Sequence, residues 1–241
     1  MIISKSNITS ASTMSLDVGT ISSGVLANLQ DSDFSKIIVS TTGLEFSFAS
    51  VGSAQYVALH GLKIPIGSLV TIAATGFSKA YTTTNNVKNL VFYNETPSTF
   101  GDLTITIVGA GTKTISYVSA GLATNISWGT SSGQSLHYLG MNNVERVTSD
   151  NRGQPTNRVS EQQSPKLSLN MKNMTKTWAR TELQEVFEHY KTDGIISILD
   201  YEGDNKPNES VAGFELKQSS PKTHSQTLSL VNIALSFKVS V

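Results

Sequence analysis

The chain has 241 residues, of which 38% are hydrophobic and only 15% are charged, and its formal net charge is +0. The balanced charge gives no electrostatic reason to expect nucleic acid or an anionic membrane as a partner, and no apolar run approaches the ~18 residues of a membrane span. Because there is no cysteine, a disulfide framework, a zinc–thiolate site and a thiol nucleophile are excluded.

Short strands separated by turn residues are predicted along the first half of the chain. In residues 44–49 and 103–108, apolar and polar residues alternate with the period of two that places one face of a strand on a core. Residues 109–111 are predicted to join the strand at 103–108 to a strand at 114–118 as a hairpin. Residues 76–86 and 97–102 are predicted to be turns, and further strands are predicted at 36–40, 56–59, 69–74 and 87–93. This spacing favours a sandwich of antiparallel strands over a parallel sheet.

Three segments of the first half carry a resemblance to a known fold. A polar turn at residues 26–33 is followed by an apolar strand that ends in a glycine turn at 54–62, and then by Gly67 with the strand Val70-Thr71-Ile72. In this order the segments resemble the discoidin-like (galactose-binding-like) β-sandwich found in virion structural proteins of tailed bacteriophages. The resemblance implies a jelly-roll or discoidin-like sandwich over residues 1–140.

Residues 141–165 differ in composition from the segments on either side. This stretch is polar and has few large apolar residues, which predicts an extended loop or an inter-domain arm. In an assembling protein such a segment often becomes ordered against a neighbour. Its candidate assembly contacts are Val144, Arg146, Arg152 and Arg158.

One helix is predicted in the second half, at residues 177–193. Its apolar residues fall on one stripe at helical spacing, and Gly194 is placed to end the helix with a left-handed cap. Strands are predicted around it at residues 167–171, 195–199, 212–217 and 228–241, and the last of these has the strongest alternation in the chain.

The second half also resembles small β-rich domains of phage tail and virion proteins. The resemblance rests on the tryptophan-containing helix at 178–190, the strand and loop at 195–201, Gly213-Phe214 and the final strand at 231–241. The predicted fold class is therefore mainly β. An antiparallel β-sandwich is followed by a smaller β-rich domain at residues 166–241 that carries one α-helix.

The histidines do not have the spacing of a metal site. His60 leaves a predicted buried strand beside a glycine, which favours a packing or turn histidine over a ligand. His189 follows Glu185 by one helical turn, which predicts an ion pair on the protein surface.

Two groups of acidic residues have the ligand types that a hard cation prefers. Asn28, Asp31 and Asp33 could place oxygen atoms around Ca²⁺, but an Asx turn that satisfies backbone groups is the favoured interpretation. Asp200, Glu202 and Asp204 pose the same alternatives, although the supporting acids of an EF-hand are missing. No cofactor is predicted.

Aromatic residues near loops raise the question of a sugar-binding surface. Tyr81, Tyr93 and Tyr117 are better explained as core residues or cross-strand pairs. Trp128, beside a glycine–serine loop, and Tyr138 are the candidate glycan contacts. The loop at residues 129–133 has the register of a nucleophile elbow but not its strand-to-helix setting, so nucleophilic hydrolysis is not predicted.

The resemblance and the missing catalytic constellation together predict a non-enzymatic structural component of a phage virion. It would assemble with copies of itself and with other virion proteins in the tail, tail tip or head-to-tail region. Assembly would take place in the host cytoplasm, since the N-terminus has no secretory signal pattern. A capsid decoration protein and a carbohydrate-binding module that contacts host glycans are the alternatives.

Overall fold

The computed structural model describes residues 1–49, 51–126, 143–149, 155–162, 166–199, 206–218, 222–223 and 230–240. Within these residues the chain is mainly β, with nineteen strands, one continuous helix in the second half and a short 3₁₀ helix at Leu26–Gln30, within the polar turn predicted at 26–33. The strands of the first half are β1 Ile2–Ser4, β2 Thr13–Val18, β3 Ile38–Ser40, β4 Leu44–Ala49, β5 Gly52–His60, β6 Leu69–Ala74, β7 Phe77–Thr82, β8 Asn89–Phe100, β9 Leu103–Val108, β10 Lys113–Ile115, β11 Tyr117–Gly121 and β12 Ala123–Asn125. Those that follow are β13 Asn143–Ser149, β14 Pro155–Gln162, β15 Lys166–Thr175, β16 Ile196–Leu199, β17 Ser210–Gln218, β18 Lys222–Thr223 and β19 Leu230–Ser240.

The first half forms the predicted antiparallel β-sandwich. Sheet 1 has the strand order β2-β4-β9-β6-β7, and sheet 2 has the order β11-β5-β8. Alternate residues of the two sheets meet in one apolar core, to which sheet 1 contributes Phe46, Ile72 and Ile105 and sheet 2 contributes Val57 and Phe92. Burying each such side chain stabilises the fold by roughly 1.5–3 kcal/mol, so this core is the main reason why the two sheets pack together.

Sheet 3 joins the N-terminal strand to the C-terminal half. Its strand order is β12-β1-β16-β17-β19-β15, and β18 pairs with β19. Strand β1 lies between β12 and β16, where Ile3 is opposite Thr124 on one side and Ile198 on the other. The sheet is therefore built from both ends of the chain. The division into domains at residues 140 and 166 stays a prediction.

Strand β5 is buried on both of its faces. Val57 and Leu59 point into the core between sheets 1 and 2, whereas Tyr56 and Ala58 pack with β1 and β16 between sheets 2 and 3. At its end, Gly61 has a φ of 62° and lies so close to Ser116 that a side chain there would collide with it. The layers are thus sheet 1, sheet 2, sheet 3 and the helix, with β5 at the centre.

The predicted helix, α1, is confirmed. It consists of three continuous segments, the α-helical Lys176–Trp178, the π-helical Ala179–Leu183 and the α-helical Gln184–Asp193. The side chain of Thr175 accepts a hydrogen bond from the backbone N–H of Trp178 and so begins the helix. Gly194, with a φ of 72°, ends it.

The predicted hairpin between residues 103–108 and 114–118 is wrong. Strand β9 pairs with β4 and β6, while β10 pairs with β3 and β11 pairs with β5. The glycines after β9 form a loop that passes between sheets, and buried Lys113 holds this loop. Its Nζ donates hydrogen bonds to the carbonyls of Gly109 and Gly111, at 2.6 and 2.9 Å.

Two predicted turns are also largely strand. The range 76–86 contains β7, and most of 97–102 belongs to β8. Opposite β5, the register of β8 shifts between Ala54 and Tyr56. This bulge places Pro97 in an irregular part of the strand, where the missing N–H of proline is tolerated.

The segment predicted as an extended loop contains paired strands. Strands β13 and β14 are antiparallel, with Asn143 opposite Gln162. Valine and threonine, which favour strands, are spread through this polar stretch. The stretch has too few apolar residues to show the alternation of apolar and polar residues by which a strand is predicted from sequence. Of the candidate assembly contacts, Val144, Arg146 and Arg158 lie on these strands, and their role stays a prediction.

Candidate functional site

A polar cleft lies between the sandwich, the segment after β1 and the C-terminal end of α1. It consists of two cavities that share Thr192 and Asp193. The first cavity has a volume of about 360 Å³ and is lined on the sandwich side by Gln30, Asp31 and Tyr117. The second has a volume of about 310 Å³, and its lining includes Lys5, Asn7, Glu185 and His189. Both volumes are at the lower end of the range for small-molecule sites.

The N-terminal segment is attached to the helix by an ion-pair cluster. Lys5 Nζ lies 2.9 Å from a carboxylate oxygen of Glu182 and 2.9 Å from one of Glu185. Burial alone would lower the pKa of Lys5, but its hydrogen bonds to the two glutamates outweigh burial and raise it. A hydrogen bond from Thr124, followed by the one from Lys5, lowers the pKa of Glu182. Lys5 and Glu182 therefore stabilise each other's charged forms.

His189 does not form the predicted surface pair with Glu185. Its side chain is only 4% exposed, and its Nδ1 lies 3.2 Å from Asp193 Oδ2. Its Nε2 is 3.1 Å from Ser4 Oγ. The prediction is wrong because β1, which supplies Ser4, covers this face of the helix, and because Glu185 is engaged by Lys5.

The order Ser4, His189, Asp193 resembles a catalytic triad, but its setting is that of a packing interaction. Ser4 is buried, and its Oγ accepts a hydrogen bond from the backbone N–H of Ser197 at 2.9 Å. A hydroxyl enclosed between two strands has no room for a substrate beside it. The arrangement therefore holds the histidine ring and Asp193 in place at the floor of the cleft.

His60 is confirmed as a packing histidine. Its Nδ1 lies 2.9 Å from Asn89 Oδ1, and its Nε2 lies 2.8 Å from Ser197 Oγ. The ring packs against Phe34 and Tyr117, and the three ring centroids lie 6.1–6.2 Å from one another. Burial lowers the pKa of His60 to about 4. Since Ser197 also bonds to Ser4, the two buried histidines belong to one polar chain that crosses from sheet 2 through sheet 3 to the helix.

The turn with the candidate cation ligands Asn28, Asp31 and Asp33 has Asx geometry, the interpretation that the sequence favoured. Asn28 donates to the carbonyl of Ile37, and Asp33 accepts from the backbone N–H and the hydroxyl of Ser35. Asp31 accepts from Lys36 and from the backbone of Asp33, in that order of effect, and both lower its pKa. In the part of the chain that the structure describes, no group of three or more histidine or acidic side chains is arranged to hold a metal ion.

The predicted glycan contacts, Trp128 and Tyr138, lie outside the described residues, as does Arg152. Asp200, Glu202, Asp204 and the loop at 129–133 also lie outside them. Among the other aromatic candidates, Tyr93 and Tyr117 are buried and Tyr81 packs partly against the core of the sandwich, as predicted.

The sequence did not reveal the cleft, although one local signal was present. Asp193 occupies the last residue of the helix, where backbone carbonyls carry partial negative charge and basic residues are preferred. An acid in this position is locally unfavourable, which is a feature typical of functional sites. Burial raises the pKa of the neighbouring Tyr117, and the charge of Asp193 adds to the effect.

The sequence matches no protein-family model and no curated protein. Several of the solved structures that its fold resembles are carbohydrate-binding modules. A fucose-binding module of Streptococcus pneumoniae, SpX-3, is 9% identical, with 48% of this chain and 96% of that one covered and a TM-score of 0.36. The family 32 module of NanJ from C. perfringens, solved with galactose, is 10% identical, with coverages of 48% and 97% and a TM-score of 0.37. Chitosan-binding module 1 from Paenibacillus sp. IK-5 is 10% identical, with coverages of 47% and 97% and a TM-score of 0.36.

A larger chain, SpGH29, is matched over 50% of this chain and 29% of its own length, with 9% identity and a TM-score of 0.39. At these identities and scores, the comparisons carry no information on ligand or function. The β-sandwich is established by the strand pairing of this chain itself. Nothing in the comparisons relates this chain to a phage virion.

Among the described residues, no helix is long and apolar enough to cross a membrane.

Proposed function

We propose that this chain is a non-enzymatic structural protein of a tailed-phage virion. It assembles with copies of itself and with neighbouring virion proteins, in the tail, tail tip or head-to-tail region. The first support is the resemblance of both halves of the sequence to virion proteins of such phages. The second is the way in which the two halves are joined.

The observation that carries the proposal is the continuous stack of three sheets. β1 belongs to the sheet of the C-terminal half, and the hydrogen bond between His60 Nε2 and Ser197 Oγ connects sheet 2 to that sheet. In the described part of the chain, β2, β7 and β15 each pair on one side only. Such edge strands carry backbone groups that can pair with another chain. A repeating assembly needs edges at fixed relative positions, and the stacked sheets provide them.

Mass and shape in solution test this proposal. Light scattering and negative-stain imaging at rising concentration are expected to show rings, tubes or assemblies that require a partner protein. A variant lacking residues 144–160, and thus most of β13 and β14, is the matched comparison for the predicted arm. A strictly monomeric particle at every concentration, alone and with the proteins encoded beside it, would contradict the proposal.

Glycan recognition is the second candidate function, and the polar cleft is the observation that favours it. Sugar hydroxyls are bound by polar side chains that donate and accept hydrogen bonds, and the cleft is lined by amide, carboxylate and hydroxyl groups together. The test is a glycan array probed with the labelled wild-type chain, which should include fucose, galactose and chitosan fragments. Binding to none of the arrayed glycans would refute this candidate and leave the assembly proposal standing.

A further inference from the structure

We infer that copies of this chain join head to tail, with the exposed edge strand β2 of one copy docked on an apolar groove beside α1 of the next. The inference rests on the proposed assembly of the chain with copies of itself, and it adds the two surfaces that meet. β2 is an edge of sheet 1, whereas the groove lies between α1 and strand β19 of sheet 3. The two surfaces belong to different layers of the stack, so each can contact a different neighbour.

The groove has apolar walls and is small. Its volume is about 280 Å³; α1 contributes Leu183 and Phe187 to the lining, and β19 contributes Val231 and Ile233. Small-molecule sites usually have volumes of about 300–1,000 Å³. The groove is below this range, and it therefore suits the aliphatic side chains of a protein partner better than a separate ligand.

Two cations, Lys176 and Arg180, also line the groove. Lys176 lies in the first turn of α1, where the helix dipole disfavours a positive charge, and Arg180 follows it by four residues and repels it. Neither forms an ion pair with another described residue. The groove therefore presents two positive charges that the described part of the chain does not balance.

The helix is irregular at this groove. Its π-helical segment, Ala179–Leu183, has both of its end residues and Arg180 in the lining. A π-helical turn inside an α-helix is rare and frequently marks a functional site. This irregularity is independent of the charges, and it indicates the same surface.

Strand β2 has the complementary properties. Leu16 and Val18 are 37% and 56% exposed, and between them Asp17 is exposed at a bulge of the strand. Val18 lies opposite Glu45 of β4. Among the described residues, no cation pairs with Asp17 or Glu45. Two exposed aliphatic side chains and two unbalanced carboxylates thus match the apolar walls and the two cations of the groove.

A contact between two different surfaces repeats from copy to copy. Each chain offers one β2 and one groove, so the contact is heterologous and produces a ring if its rotation closes and a helical filament if it does not. The backbone groups along the free edge of β2 can add hydrogen bonds to the contact. Charges of opposite sign on the two surfaces also suppress the pairing of like surfaces.

The experiment uses two variants that each alter one surface. Val18→Lys places a positive charge on β2, and Arg180→Glu reverses one charge of the groove. The matched controls are Ile66→Lys, at an apolar residue that is 65% exposed before β6, and Lys191→Glu, at an exposed position of α1 that does not line the groove. Thermal unfolding checks that each chain is folded. Sedimentation velocity then measures the mass of each chain alone and of the two surface variants mixed in equal amounts.

We expect the wild type and both controls to assemble at similar concentrations, and each surface variant to require at least tenfold more protein. In the mixture, the intact groove of the Val18→Lys chain can still receive the intact β2 of the Arg180→Glu chain. Because the other two surfaces are altered, this pairing stops after one contact. The expected particle therefore contains two chains.

Unchanged assembly of either surface variant would overturn the contact and leave the proposed assembly standing. A mixture that stays monomeric, or one that recovers the full assemblies, would overturn it as well. So would a wild type that assembles only with another virion protein. A wild type that is monomeric at every concentration, alone and with the proteins encoded beside it, would contradict the proposed function itself.

Discussion

His60 is expected to make the stability of this protein fall in mild acid. The imidazole is fully buried against Asn89, Ser197, Phe34 and Tyr117, none of which carries a negative charge that could balance its protonation. Burial lowers its pKa from 6.5 to about 4. The folded chain consequently binds this proton less readily than the unfolded chain does.

The sign and size of the effect follow from these two pKa values. Above pH 6.5 the ring is neutral in both states, and its contribution to stability is fully present. As the pH falls from 6.5 towards 4, the unfolded chain takes up the proton first, and the free energy of unfolding decreases. The complete loss corresponds to about 3 kcal/mol, of which about 2.5 kcal/mol is reached by pH 4.5.

Urea unfolding of the wild type and His60→Gln at pH 7 and pH 4.5 measures this loss. Glutamine can still bond to Asn89 and Ser197 but does not titrate. Between the two pH values, the wild type is expected to lose about 2.5 kcal/mol more than the variant, whatever stability the variant has at pH 7. All other titrating groups are common to both chains and cancel. Equal pH dependence of the two chains would refute the reasoning.

Three further substitutions test other parts of the fold by urea unfolding. Lys113→Met removes the group that donates hydrogen bonds to two loop carbonyls, and it is expected to lower the free energy of unfolding by about 1–3 kcal/mol. The control Lys88→Met, at an exposed position, should change the free energy of unfolding by less than about 0.5 kcal/mol. Equal effects of the two substitutions would contradict the role given to Lys113. Gly194→Ala should cost about 1 kcal/mol because of the positive φ, since the site has open space around it; an unchanged stability would argue against the left-handed cap. Leu59→Ala, in the core, should lower the free energy of unfolding by about 2–5 kcal/mol, whereas Leu69→Ala, on the exposed side of β6, should lower it much less. A similar loss of stability at both positions would contradict the burial of β5.

Local pattern was enough to predict those elements whose surroundings are uniform along their length. Strands β4, β6 and β9 have the predicted bounds, because one face of each lies on a single core and the alternation is unbroken. The helix and its cap at Gly194 were equally predictable, since both depend on residues within one turn of each other. The final strand, β19, keeps its alternation of buried and partly exposed residues to Ser240.

Features that depend on distant residues could not be predicted in this way. The partner of β10 is β3 and that of β11 is β5, whereas the glycines between β9 and β10 suggested a local hairpin. The burial of His189 results from Ser4, which is 185 residues away in the chain. The cleft likewise brings together residues near the N-terminus, in the turn after β2 and at the end of the helix. No spacing in the sequence indicates such a convergence.

The place of β1 in sheet 3 has a consequence for the protein during its synthesis. The strands of sheets 1 and 2 are all complete at Gly121, so the sandwich can form early on a nascent chain. The outer face of sheet 2, with Tyr56 and His60, stays uncovered until β16 and β17 have left the ribosome. At typical elongation rates this interval is on the order of ten seconds. For that time β1 has no β16 to pair with, and the bare face is exposed to chaperones and to other nascent chains.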